Sequence, residues 1–161
     1  MNNTIHSSDD FEGMRKAGNL AASTLDLLVE KVKPGVSTEE LDNIAFDYIV
    51  RHGGLIAPLF YKGYPKSVCT SINHVICHGI PSSRILENGD IVNIDVTVIV
   101  DGWHGDTSRM FPVGKINAKA QKLIDCTFHA MHEGINAAQP DATLGDIGNA
   151  IQTYAEKQNY S

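Results

Sequence analysis

The stretch NIDVTVIVDGWHGDTSRMF, residues 93–111, decides the fold, because it predicts two long antiparallel strands joined by a tight turn. An Asp-Gly pair such as Asp101-Gly102 is preferred in two-residue type I′ turns, where both central positions need positive φ. A loop made of those two residues pairs Thr97 with Asp106. The hairpin register can therefore be predicted residue by residue.

Side chains alternate between the two faces of a strand, so this register gives the hairpin one apolar face and one polar face. The apolar face carries Ile94, Val96, Val98, Val100 and Trp103. The polar face carries Asp95, Thr97, His104, Asp106 and Ser108. The first set is ordinary core, whereas two acids on one face of a strand pair are unusual.

Asp95 and Asp106 are diagonal neighbours in this register, with their β-carbons within about 7–8 Å. Two like charges at that distance repel each other unless a cation lies between them, and hard divalent ions prefer carboxylate oxygens. Paired metal ions in hydrolases lie about 3.5–4 Å apart. The spacing allows a metal site, but a solvated sheet face explains it equally well, and a bulge at Gly105 would shift the pairing.

Composition limits the class of protein. A chain of 161 residues with 42% hydrophobic content fits one domain, and its net charge of −6 argues against general affinity for nucleic acid or anionic membrane. No apolar run approaches the ~18–20 residues that span a bilayer, and no secretory signal is evident. Three cysteines cannot all pair, which favours a reducing compartment. We expect a cytoplasmic protein.

Apolar periodicity predicts two helices before the strands and two after them. The helices are expected at residues 9–32, from a capping box at Ser37 to His52, at residues 118–138, and at residues 143–158. Strands are expected at residues 68–72, 90–100 and 103–111, and residues 55–66 read as a loop with exposed aromatic side chains. This order indicates an α+β domain, with a mostly antiparallel sheet and helices on one face.

The segment KSVCTSINHVICHGIP, residues 66–81, contains a second set of reactive side chains. The spacing of its cysteines and histidines matches no structural zinc pattern, and cysteine is often a small buried hydrophobe. A thiol–imidazole pair of Cys69 and His78 is an equally weak reading. His78 is followed by Gly79, which lets the backbone turn and present the imidazole into a cleft.

Taken together, YKGYPKSVCTSINHVICHGIP and GDIVNIDVTVIVDGWHGDTSRMF resemble the type I methionine aminopeptidases, over essentially all 161 residues. The resemblance implies the pita-bread fold, in which two similar αβ halves surround two divalent metal ions (Co, Mn, Fe or Zn). It implies metal-dependent removal of the initiator methionine from nascent proteins whose second residue is small. The implied partners are nascent polypeptide N-termini at the ribosome, and the implied full-length protein is a monomer.

The resemblance also implies roles for six residues. Asp95 and Asp106 match the first two metal-binding carboxylates of the family, and Asp106 matches the one that bridges both ions. His78 matches the catalytic histidine that contacts the substrate nitrogen. The wall of the methionine pocket is matched by Tyr61, Tyr64 and Cys69.

One departure from the family is large. Its other metal ligands, a His and two Glu, come from the second half of the fold, and the sequence ends at Ser161 before them. We therefore expect residues 1–161 to be the N-terminal half of one catalytic domain and to be inactive alone. A noncatalytic pita-bread protein that binds a peptide or partner is an alternative, as is an X-Pro peptidase relative. The two aspartates with His78 argue against the former, and YKGYPKSVC argues against the latter.

Overall fold

Residues 5–161 are described by a computed structural model, and within them four helices accompany a four-stranded antiparallel sheet. The helices are α1 Ser8–Leu28, α2 Thr38–Arg51, α3 Ala118–Ala137 and α4 Leu144–Lys157. The strands are β1 Leu55–Ile56, β2 Cys69–Ile72, β3 Ile91–Val100 and β4 Trp103–Pro112, with a 3-10 turn at Tyr61–Gly63. The α+β prediction is confirmed. Residues 5–116 and 117–161 form two compact units.

Capping boxes fix the start of three helices, because a side chain at each end of the first turn satisfies a free backbone N–H. The pairs are Ser7 with Asp10, Ser37 with Glu40, and Thr143 with Asp146. Helix α1 ends at Leu28, earlier than the predicted residue 32, and a turn follows in which the Val32 N–H donates to the Leu28 carbonyl. Pro34 disfavours helical geometry in Lys33, so the α-helix cannot continue beyond this turn.

Strand β3 is the centre of the sheet. It pairs along its whole length with β4, and β1 and β2 pair with it at separate positions. The prediction of a loop over residues 55–66 is wrong at Leu55–Ile56, which forms β1. Two residues are too few to show an alternating pattern, so this strand leaves no periodic signal in the sequence.

The register predicted from the turn is observed, with Thr97 opposite Asp106 and Asp95 opposite Ser108. Asp101 and Gly102 have φ of 50° and 86°, the left-handed geometry that a type I′ turn requires. Gly105 lies opposite Val98 and forms no bulge.

The apolar face of the hairpin packs against α1 and α2 in one core. Its fully buried members from the strands are Val92, Ile94, Val96 and Val98, and those from the helices include Ala21, Leu28, Leu41 and Ile49. Helix α1 lies so close to β4 that a Cβ on Gly105 would sit 2.2 Å from the backbone of Ala17. Only glycine permits this approach.

Helices α3 and α4 form the second unit by packing against each other. Gly134 of α3 allows the approach, because a Cβ there would lie 2.7 Å from the side chain of Ile151. Several large apolar side chains of the unit stay exposed, including Phe128 at 54%, Ile135 at 56% and Leu144 at 88%. None of the described helices is both long and apolar enough to cross a membrane.

Candidate metal centre

Asp95 and Asp106 share the polar face of the β3–β4 hairpin, as their spacing around the turn predicts. Asp95 is half-buried and Asp106 is exposed. The Thr97 hydroxyl donates to Oδ1 of Asp106 at 3.2 Å, which orients that carboxylate. The sheet therefore presents two carboxylates side by side from neighbouring strands.

The two acids, which the strand register places on one face, also interact electrostatically. The pKa of Asp95 is raised, chiefly because burial penalises its charged form, and further because the Asp106 carboxyl is close enough to repel it and to hydrogen bond with it. A smaller electrostatic interaction with His78 acts in the opposite direction and lowers the pKa of Asp95. A divalent cation between the two carboxylates would relieve the repulsion that otherwise favours a proton.

The donor chemistry of this pair fits a hard divalent ion, because both side chains offer only oxygen. The pair is not sufficient, however, since nowhere in residues 5–161 do three or more His, Cys, Asp or Glu side chains group so as to hold a metal. The cysteines and histidines of residues 69–78 form no such group either. The aspartates therefore fit a part of a metal site that needs further donors.

Cys69 and Tyr64 lie next to the acid pair. Cys69 stands directly across the sheet from Asp95 and is 8% exposed, and burial raises the pKa of its thiol. Burial likewise raises the pKa of Tyr64, and both Cys69 and Asp95 lie close enough to contribute. Tyr61 is less buried than these two residues, since it lies on the 3-10 turn and is 65% exposed. The Lys62 ammonium lies over its ring, 5.4 Å from the centroid.

His78 is presented by a turn with unusual backbone geometry. Its φ is 54°, in the left-handed region, and its side chain is exposed. Gly79 crosses β2 so closely that a Cβ there would lie 2.2 Å from the Thr70 carbonyl oxygen. The Gly79 N–H donates to the Ser71 hydroxyl at 3.1 Å, and its carbonyl accepts from the Thr70 N–H at 2.8 Å. The site therefore requires glycine at this position.

Asp42 holds the backbone just before Cys69 and was not expected from the sequence. Its carboxylate is buried on α2, and Oδ1 accepts the N–H groups of Ser67 at 2.7 Å and Val68 at 3.0 Å, just before Cys69. Burial raises the pKa of Asp42, and these two hydrogen bonds partly offset the shift. A signal was present, because Asp42 lies three residues before the buried Ala45, within the apolar stripe of α2.

The fold matches solved structures of one architectural class. The crystal structure of methionine aminopeptidase from Rickettsia prowazekii superposes with a TM-score of 0.97 at 58% identity, over 98% of this chain and 64% of that one. Prolidase from Pyrococcus furiosus superposes with a TM-score of 0.82 at 20% identity, over 97% of this chain and 45% of that one, which shows the fold alone. The chain has the pita-bread fold of these metallopeptidases, as predicted.

The model of metallopeptidase family M24 matches residues 12–161, and the chain belongs to that family. It is similar to the methionine aminopeptidases of Rickettsia prowazekii, 59% identical over 157 residues, and of Escherichia coli, 50% identical over 160 residues. Each match covers 98% of this chain and 61% of the relative, so the chain spans about three-fifths of the length of these curated relatives. Membership of a metallopeptidase family implies dependence on a divalent metal ion.

Proposed function

We propose that these residues are the N-terminal half of a methionine aminopeptidase catalytic domain, which removes the initiator methionine from proteins whose second residue is small. The observation that carries the proposal is the convergence of Asp95 and Asp106 on one sheet face beside Cys69. A module that only binds a peptide gains nothing from this repulsion. The identity of 50–59% to methionine aminopeptidases, against 20% to the prolidase, favours methionine over X-Pro substrates.

In this proposal Asp95 and Asp106 would be two of the side chains that hold two divalent ions (Co, Mn, Fe or Zn). Bound there, the ions supply Lewis acidity that lowers the pKa of water and polarises the scissile carbonyl. Two carboxylates do not saturate two ions, so further donors are required, and the family resemblance implies a His and two Glu from outside these residues. The half-buried position of Asp95 favours ion binding, because screening by water is weaker there.

Cys69, Tyr64 and Tyr61 form the wall of the methionine pocket in this proposal. The aromatic rings suit the thioether of a substrate methionine, because its sulfur makes favourable contacts with ring edges, and the small Cys69 side chain leaves room for it. His78 hydrogen bonds to the nitrogen of the scissile peptide and so orients that bond. The substrates are nascent polypeptides at the ribosome, the complete protein is a monomer, and we place it in the cytoplasm, in keeping with its three free cysteines.

The test uses the complete enzyme, meaning this chain together with the part of the catalytic domain that it does not cover. With Mn²⁺ or Co²⁺, it is expected to release methionine from a peptide beginning Met-Ala and not from a matched peptide beginning Met-Phe. A chelator should abolish the release. Cleavage of X-Pro peptides alone would show that the protein is an X-Pro peptidase and would contradict the proposal. A metal-loaded enzyme that cleaves none of these peptides would also contradict it.

The 161-residue chain alone is expected to release no methionine and to associate in solution. Its acid pair lacks further donors, β4 pairs only with β3 in the part of the chain that the structure describes, and large apolar side chains are exposed. Open strand edges and apolar patches favour association. Size-exclusion chromatography and the same peptide assay check this, and a monodisperse monomer that releases methionine would contradict it.

A further inference from the structure

The Tyr64 hydroxyl lies between two backbone segments that border the candidate site. It is 2.9 Å from the carbonyl oxygen of Val68 and 3.2 Å from the carbonyl oxygen of Gly79. A phenol has one hydrogen to donate, so the two carbonyls share it. Val68 precedes Cys69 in the pocket wall, and Gly79 follows His78. The hydroxyl therefore links the pocket wall to the turn that presents the histidine.

Gly79 transmits this link to His78. Its peptide groups are held by Thr70 and Ser71 as well as by Tyr64, and it has no room for a side chain against β2. The Gly79 N–H lies in the rigid peptide plane that includes His78, and its C=O lies in the next plane. Ser71 holds the first plane, and Tyr64 and Thr70 hold the second. Both planes that meet at Gly79 are therefore fixed, and the orientations open to His78 are limited. His78 itself has left-handed φ, which a residue with a Cβ keeps only where its surroundings hold it.

We propose that Tyr64 is a positioning residue for His78, acting through the Gly79 carbonyl, in addition to forming part of the pocket wall. This inference rests on the proposed function. The ring of Tyr64 contacts the methionine side chain, while its hydroxyl holds the His78 turn where the imidazole meets the scissile nitrogen. The two parts of one side chain therefore serve binding and turnover separately.

This division of roles predicts a separation of kinetic constants. Tyr64→Phe keeps the ring and removes the hydroxyl, so in the complete enzyme kcat should fall about tenfold, the effect of one neutral hydrogen bond, while KM stays within about twofold. Metal content should not change. A purely structural tyrosine would instead lower the melting temperature and leave the kcat of the folded fraction unchanged.

A double-mutant cycle shows whether the hydroxyl acts through His78. In a His78→Ala background, Tyr64→Phe should lower kcat no further, because residues that act as a unit are non-additive. Tyr48→Phe is the matched control, since it removes the same atom from a tyrosine of α2 whose ring packs on His52. That variant should match the wild type. Independent, multiplying losses from Tyr64→Phe and His78→Ala would overturn the inference.

A measurement without catalysis separates this inference from the proposed function. In the metal-free complete protein, the NMR signals of the His78 ring should shift or broaden in Tyr64→Phe and not in Tyr48→Phe. Unchanged His78 signals in Tyr64→Phe would overturn the positioning role even in an active enzyme. A wild type that releases no methionine would overturn the proposed function, and the His78 signals would still decide whether Tyr64 holds that turn.

Discussion

The two faces of the β3–β4 hairpin share one backbone but differ in role, since one face forms the core and the other carries the acid pair. On one face Ile94, Val96 and Val98 have no exposed surface, and they form the core with α1 and α2. On the other face Asp95 is half-buried and Asp106 is exposed. Because side chains alternate along a strand, consecutive residues point to opposite faces, one into the core and the next onto the face that carries the acids. The comparison teaches that substitutions at adjacent residues should affect separate properties.

The largest effect is expected from Asp106→Asn in the complete enzyme, which should abolish turnover and strongly weaken metal loading. An amide keeps the shape of the side chain but removes the negative charge that Asp106 is proposed to offer to the metal ions. Elemental analysis and methionine release from a Met-Gly peptide measure both properties. His104→Gln, on the same face, is the control and should retain both. Normal metal loading and a normal rate in Asp106→Asn would show that Asp106 is not a metal ligand and would contradict the proposed role of the polar face.

His78→Ala should lower kcat far more than it changes metal content. The imidazole is proposed to meet the substrate amide without binding either ion, and one such polar or acid–base group contributes about 10²–10⁴-fold in rate. Steady-state kinetics with metal analysis on the same preparation test this. A variant that loses its metal would show that His78 is a ligand and would extend the metal site beyond the hairpin.

Ile94→Ala should destabilise the complete protein by about 2–5 kcal/mol, because it leaves a cavity in a fully buried core. The folded fraction should keep its metal affinity, since the side chain points away from the acids. Ile99→Ala is the matched control, because the half-buried Ile99 lies on the polar face of β3 and should cost clearly less. Urea denaturation measures both, and equal losses would contradict the division between the faces.

The smallest effect is expected from Gly102→Ala, at about 1 kcal/mol of destabilisation. Gly102 has φ of 86°, which strains any residue that carries a Cβ. Gly148→Ala is its opposite, since this glycine lies in α4 with open space around it and should stabilise by about 0.4–1 kcal/mol. Urea midpoints for the two variants should move in opposite directions, and a shift in the same direction would contradict the turn geometry.

Much of the fold could be predicted because its signals are local. The Asp101-Gly102 turn set the register of ten residue pairs, and capping residues marked helix starts at Ser37 and Thr143. The end of α1 and the short strand β1 were missed, since each depends on a few residues without periodicity. Local signals therefore explain the hairpin and the helices, and not the connections between them.

The candidate site was predictable only in part for the same reason. Its acid pair follows from strand alternation, whereas the Tyr64–Gly79 bond joins residues 15 apart and the Asp42–Ser67 bond joins residues 25 apart. Bonds between distant residues leave no spacing pattern in a single sequence. The roles of His78, Tyr61, Tyr64 and Cys69 came from resemblance, and they remain proposals here.

The two-residue turn at Asp101 and Gly102 also has a consequence for the time course of folding. A β-hairpin forms in about 1–10 μs, whereas a ribosome adds about 5–20 residues per second. Once β4 has been synthesised, Asp95 and Asp106 can meet thousands of times before the next residue is added. We expect β3–β4 amides to gain protection early in pulse-labelled hydrogen exchange, so that the first two carboxylates are paired before distant parts of the chain take part.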